Sequence, residues 1–172
     1  MTANRAWHTR AHVVIDPLPA DWRAQLVDRL GARPRRLGPW AELALWGARC
    51  CLDAAHEDVL QSGALLRVAS VSGPLSATRA VAQQVRVGLP LPVAFMQSAP
   101  GQMLAGLSLH LGWTGDASFL ACRNRDALLQ LVQRESGAAG VLLGWVDEDL
   151  RTEWLRLVPA RAAGSGASEQ QH

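Results

Sequence analysis

The chain has 172 residues, 49% of them apolar, and a formal net charge of +2; that is enough for one substantial core and little for two, so a single domain is expected. All seventeen basic residues are arginine, scattered with few aromatics between them, which lacks the clustered basic footprint of a nucleic-acid binder. No apolar run approaches the ~20 residues that span a bilayer, Met1–Ala20 has no basic segment leading into an apolar one, and Cys50, Cys51 and Cys122 write neither a disulfide framework nor a zinc site, so a reduced cytoplasmic setting is expected.

In chain order, His12–Asp16 alternates weakly and predicts an edge strand, closed by Asp16-Pro17-Leu18-Pro19. Asp21 caps a short helix to about Leu30, and Arg33, Arg35 and Arg36 around Pro34 read as a solvated loop. Pro39 suits the first position of a longer helix in which Leu43, Trp46, Gly47, Cys50 and Ala54 recur at helical spacing, predicting one buried face. His56, Glu57 and Asp58 read as its solvated end.

Leu65–Ser72 is a short apolar strand, and Gly73-Pro74 turns it into a helix through Ala77, Ala80, Val81 and Val85. Pro90-Leu91-Pro92 breaks the chain before Val93–Gln97, expected to be extended, and a helix from Ser98 to about Leu111 carries a small-residue stripe of Gly101, Ala105 and Ser108. Ala117–Ala121 predicts a strand, followed by a helix with Ala127, Leu128, Leu131 and Val132 on one face to about Glu135. Val141–Val146 has the unbroken apolar run of a strand buried on both faces, with Glu153–Val158 beside it. From Ala160 the composition falls to Ala, Gly, Ser and Gln, so residues 1–159 form the expected domain and 160–172 a disordered tail. The alternation of strands and helices argues for an α/β domain with a mixed or mainly parallel sheet and covering helices.

The familiar catalytic motifs are missing: no GxGxxG, no phosphate-binding GxxxxGK, no HExxH and no GxSxG. His8 and His12 have a spacing that suits metal ligands on a helix, but the stretch is not convincingly helical and no third ligand lies near, so no metal or cofactor is expected. Cys50 and Cys51 sit in an apolar helical pattern and read as structural. Cys122 differs, because it closes a strand and opens a helix, where the backbone dipole would favour a thiolate nucleophile.

Three stretches between Trp40 and Asp147 carry a resemblance. Leu66–Thr78, with Ser72-Gly73-Pro74 at its turn, looks like the strand and turn opening a helix in ketosynthase-like domains. Pro92–Gly101, its following helix and Leu111–Gly115 resemble the segment that family uses at its dimer interface. Ala117–Leu129 is similar to the strand and nucleophile-bearing helix, with Ala121-Cys122 where the family has an Ala-Cys pair. Here the sequence departs: Arg123-Asn124-Arg125 replaces the small residues that leave room for an acyl chain, and the spacing from Gly115 to Cys122 is short, so whether Cys122 aligns with the family nucleophile stays open. The family is the β-ketoacyl synthases of the thiolase fold, and the part resembled is their N-terminal half.

The resemblance implies half of a thiolase-like fold. Ketosynthases carry further catalytic groups in a C-terminal half, and this chain ends soon after Val146, which implies a non-catalytic subunit with an apolar face that needs a partner. The expected role is that of a chain-length factor, heterodimerising with a full-length ketosynthase in aryl polyene, polyketide or fatty-acid-type biosynthesis. Ala117, Ser118, Phe119, Leu120 and Ala121, with Cys122 beyond them, would pair with the partner's matching strand; Phe95, Met96, Gln97 and Phe119 would approach its acyl tunnel, against ordinary core packing for Phe95 and Phe119. Arginines would help to dock an acidic acyl carrier protein. The alternatives are a minimal acyltransferase or thioesterase using Cys122, and a homodimeric scaffold.

Overall fold

A computed structural model describes residues 6–88, 92–135, 137–148 and 151–160. Its elements are β1 (Trp7–Ile15), α1 (Trp22–Leu30), α2 (Pro39–Ala54), β2 (Leu65–Ser70), α3 (Leu75–Arg86), α4 (Pro92–Gln97), α5 (Pro100–His110), β3 (Ala117–Ala121), α6 (Arg125–Arg134), β4 (Val141–Asp147) and β5 (Arg151–Pro159). The strands form one sheet in the order β1-β5-β4-β2-β3. β2 runs parallel to β3 and β4, whereas β5 is antiparallel to β4 and β1. The sheet is therefore mixed, with helices on both faces.

The unbroken apolar run of β4 places it at the centre, where Val141–Val146 are all buried. Leu66 and Val68 of β2 and Leu142 and Val146 of β4 face α2, and Ala69, Val141, Leu143 and Trp145 face α6. These alternating sets are the two cores, one on each side of the sheet.

α2 begins at Pro39, whose fixed φ suits a first helical turn, after an extended Gly38. The expected single buried face is corrected here: every residue from Trp40 to Ala48 is buried. The helix lies against β1, β4 and β5 on one side and is covered by α1 and α5 on the other. Gly47 is required by this closeness, because a Cβ there would collide with the Trp154 indole and come within 2.8 Å of Thr152 Oγ1. Within the helix Cys51 takes the buried position, Cys50 is half-buried and Ala54 is exposed.

On the opposite face α6 contributes only Leu128 and Val132 to the buried cluster, while Ala127 and Leu131 are exposed. Its apolar stripe is narrower than the sequence suggests, because one helix rides on the flat sheet with polar residues facing out. In α5 the small residues Gly101 and Ala105 are exposed and Ser108 half-buried; the close approach is at Gly106, where a Cβ would meet the Leu37 side chain.

Three further expectations change. β1 starts at Trp7 rather than His12, because ladder bonds to β5 hold its polar first half, with an irregularity between Thr9 and Ala11. Val93–Gln97 is helical rather than extended: Pro92 starts α4, and no helix breaker follows until Pro100. Glu57 is buried rather than solvated, with Oε2 accepting from Arg156 Nε at 2.9 Å, while the neighbouring His56 is exposed in a left-handed conformation (φ 55). Residues 161–172 of the expected tail, and residues 90–91 of the expected chain break, lie outside the described residues.

Candidate functional site

β3 lies at the edge of the sheet, hydrogen-bonded to β2 on one side, so on its other side it presents backbone N–H and C=O groups to whatever lies beyond. From Ala117 to Leu120 its residues are half-buried, and Ala121 is exposed. Phe119 turns inward against Trp40, ring centroids 5.7 Å apart in an edge-to-face arrangement. Trp40 is itself fixed by its indole N–H donating to the Val146 carbonyl at 3.0 Å. Core packing thus accounts for one face of Phe119.

A buried arginine sets where β3 begins. Arg67 of β2 donates through Nη1 and Nη2 to the two carboxylate oxygens of Asp116, at 3.1 and 2.9 Å, and through Nε to Glu135 at 2.7 Å. Asp116 immediately precedes β3 and Glu135 immediately follows α6, so one guanidinium ties down both ends of the β3–α6 unit. Hydrogen bonding to Arg67 holds the Asp116 carboxyl below the usual carboxylate range.

At the far end of the strands, the Asp147 carboxylate accepts from Ser70 Oγ (2.6 Å), the Val71 N–H (3.0 Å) and Trp145 Nε1 (2.9 Å). Burial pushes its pKa up, but these donors outweigh it and the carboxyl sits below its ordinary range. Ser70 Oγ in turn accepts from the Gly73 N–H at 2.8 Å. The turn after β2 is therefore rigid, and Gly73, in a left-handed conformation (φ 57), lies close to the Phe119 ring.

Beside this edge lies an apolar layer that no other described residue covers. α3 has the apolar periodicity of a packed helix, yet none of its residues is buried, and neither is any of α4. The two helices pack on each other and leave Val85, Val87, Val93, Phe95 and Met96 exposed, Phe95 at 67%. Core packing does not account for Phe95. Gln97 instead reaches Gly38, where an added Cβ would lie 3.3 Å from its own. The start of α2 is thereby touched by Gln97 near Gly38 and by Phe119 at Trp40, which brings the predicted α4 and β3 residues to one region.

Cys122 is half-buried and its thiol donates to the Asn124 carbonyl at 3.2 Å. The helix does not open at the cysteine: Asn124 is the N-cap of α6, its side-chain oxygen accepting from the Ala127 N–H at 3.0 Å. The cap, not the thiol, satisfies the first turn. His8 and His12 lie on a strand, His12 against Glu153 at 3.0 Å, and among the described residues no three His, Cys, Asp or Glu side chains group to hold a metal ion. No helix among those residues is long and apolar enough to cross a membrane.

Sequence reasoning found β3 at its bounds and singled out Val93–Gln97, though as an extended piece rather than the helix α4. It missed Arg67, Asp116, Glu135 and Asp147; the signal available was an arginine inside an otherwise apolar strand, which must find carboxylates if it is buried.

No family model matches this sequence, and no curated protein matches it. Solved structures do. One is a chain from the ketosynthase (ApeO) in complex with its chain length factor (ApeC) from Xenorhabdus doucetiae, with a TM-score of 0.65 at 15% identity, covering 91% of this chain and 80% of that one. Another is the ishigamide ketosynthase/chain length factor, with a TM-score of 0.67 at 14% identity; 94% of this chain is covered, and the match spans 60% of the other. At such identities the likeness is one of fold. The mixed sheet, with five strands and six helices among the described residues, has the thiolase-like fold found in ketosynthase/chain-length-factor complexes.

Proposed function

We propose that this protein is a non-catalytic, chain-length-factor-like subunit that binds a full-length ketosynthase and shapes its acyl tunnel in polyketide, aryl polyene or fatty-acid-type biosynthesis. The observation that carries the reading is the uncovered apolar layer of α3 and α4 beside the open edge of β3, on a fold shared with ketosynthase/chain-length-factor complexes. Each large apolar side chain transferred from water into an interface contributes about 1.5–3 kcal/mol, so covering Val85, Val87, Val93 and Phe95 outweighs a substantial part of the cost of association. An edge strand adds directional backbone bonds, which fix register and orientation.

In this reading Ala117–Ala121 pair with the equivalent strand of the ketosynthase. Phe119, held by Trp40, presents its free side to the partner, and Phe95, Met96 and Gln97 bound the depth of the tunnel. The exposed arginines of the loop between α1 and α2, Arg33, Arg35 and Arg36, offer charge to an acidic acyl carrier protein. The compartment is the cytoplasm.

Co-expression with a full-length ketosynthase from the same genome tests the proposal. The two are expected to co-purify and to set product chain length together, and the doubly charged variant Val85→Glu/Phe95→Glu is expected to stay folded and lose the partner, because both residues are exposed in the isolated chain. Failure to co-purify, with condensation unchanged when this chain is omitted, rules the reading out. A tight homodimer of the isolated chain, lost in the same variant, would instead favour a self-associating scaffold.

A further inference from the structure

At the edge of the sheet opposite β3, a cleft of about 860 Å³ opens between the ends of β1 and β5 and the loops before β2 and β4. Its lining includes His8, Arg10, Gln61, Ala139 and Val158, and no carboxylate is among the described residues that line it. Behind the wall lies a charged cluster. Arg156 is completely buried and donates through Nε to Glu57 Oε2 at 2.9 Å and through Nη1 to the Leu157 carbonyl at 3.1 Å. Arg10 comes in from the cleft side, 39% exposed, with Nη1 at 2.9 Å from Glu57 Oε1 at an angle that makes the contact ionic rather than a well-formed hydrogen bond.

The count of charges is uneven. Two guanidiniums share one carboxylate, which leaves a net positive charge at a site where Arg156 and Glu57 have little water to screen it. Cys51, the nearby thiol that feels Arg156, is pushed by burial up to about 12 and stays neutral, so it does not balance the charge. Arg156 Nη2 has no hydrogen-bond partner among the described residues, and a buried donor without one is costly. The guanidinium is close behind the cleft wall: a Cβ on Gly140, which follows the lining residue Ala139, would lie 2.9 Å from both Arg156 Nη1 and Val158 Cα.

We propose that this cleft is an oxyanion site that takes a phosphoryl group, with Arg10, His8 and Gln61 as direct donors and the buried Arg156–Glu57 pair as the charge behind them. A phosphoryl group fits better than a lone carboxylate because its oxygens can use donors from three separate strand and loop positions, and its negative charge answers the excess cation. The cleft is larger than a free phosphate ion, which matches a phosphorylated small molecule. Arg10 is a charge donor whose angle is set by Glu57, and Glu57 is held in turn by Arg156. The site stands apart from the β3 edge, so it does not depend on the partner reading.

The test is ³¹P NMR titration of the full chain with inorganic phosphate and, separately, with ADP, together with Arg10→Gln, His8→Ala and, as a control away from the cleft, Arg35→Gln. Saturable binding weakened about tenfold or more by Arg10→Gln, weakened by His8→Ala and unchanged by Arg35→Gln is expected. Tighter binding of ADP than of phosphate identifies a carried phosphoryl group; equal binding identifies the free ion as the occupant. The proposal is overturned if neither probe saturates at millimolar concentration, if Arg10→Gln binds as well as the parent chain, or if acetate displaces the probes as effectively as sulfate.

Discussion

Arg67 grips Asp116 with two nitrogens on two oxygens, and because Asp116 is the residue before β3, this pair joins the buried strand β2 to the start of the exposed edge strand. The Arg67 side chain is only 5% exposed, while that of Asp116 is 63% exposed and that of Glu135 29%. Losing Asp116 alone leaves Glu135 to neutralise the arginine, so Asp116→Ala is expected to cost about 1 kcal/mol. Asp116→Ala/Glu135→Ala strands a buried charge and is expected to cost about 3–5 kcal/mol, more than the sum of the single changes. Urea midpoints of Asp116→Ala, Glu135→Ala and the double variant against the parent chain measure this; additive losses would show that the two carboxylates act independently.

Acid should act through Asp147. Its carboxyl is depressed in the folded protein, so its contribution is fully present above the unfolded value of about 3.9 and is lost as pH falls through the lower folded value. Asp116 is depressed in the same direction and adds to the loss in the same window. The parent chain is therefore expected to lose stability below about pH 4. Asp147→Asn should be less stable at pH 7 by about 1–2 kcal/mol and should lose less between pH 5 and 3 than the parent. Urea denaturation at several pH values tests this, and parallel curves for the two proteins would contradict it.

The cysteines should separate by accessibility. Cys51 is fully buried with its thiol pushed up to about 12, and burial raises Cys50 as well, although Arg29 partly opposes this. Iodoacetamide with mass spectrometry is expected to label half-buried Cys122 first and Cys51 only after denaturation. Cys122→Ala should change stability by about 1 kcal/mol or less and leave ketosynthase binding intact. A Cys122-dependent thioester turnover by the isolated chain would restore the enzyme reading.

Much of the architecture was legible because it rests on local signals. The apolar run Val141–Val146 predicts a strand buried on both faces, Pro39 predicts the start of α2, and Ala117–Ala121 appears at its predicted bounds. What the sequence hid depends on distant partners. Glu57 looks solvated beside His56 and Asp58 until Arg156, 99 residues later, is brought against it. α2 reads as one-sided because periodicity reports how apolar a face is and not how many neighbours cover it, whereas α3 has the same kind of signal and is left bare. The candidate edge was legible as segments. Its setting by Arg67 and by Asp147 was not, since both act across the sheet.

Hydrogen–deuterium exchange of the chain alone and with a full-length ketosynthase bears most directly on the docking face. The amides of Ala117–Ala121 and the peptides covering α3 and α4 are expected to gain protection in the complex, while those of β1, at the far edge, stay unchanged. Protection confined to β1 and β5, or none on β3 in a complex that demonstrably forms, would contradict the account.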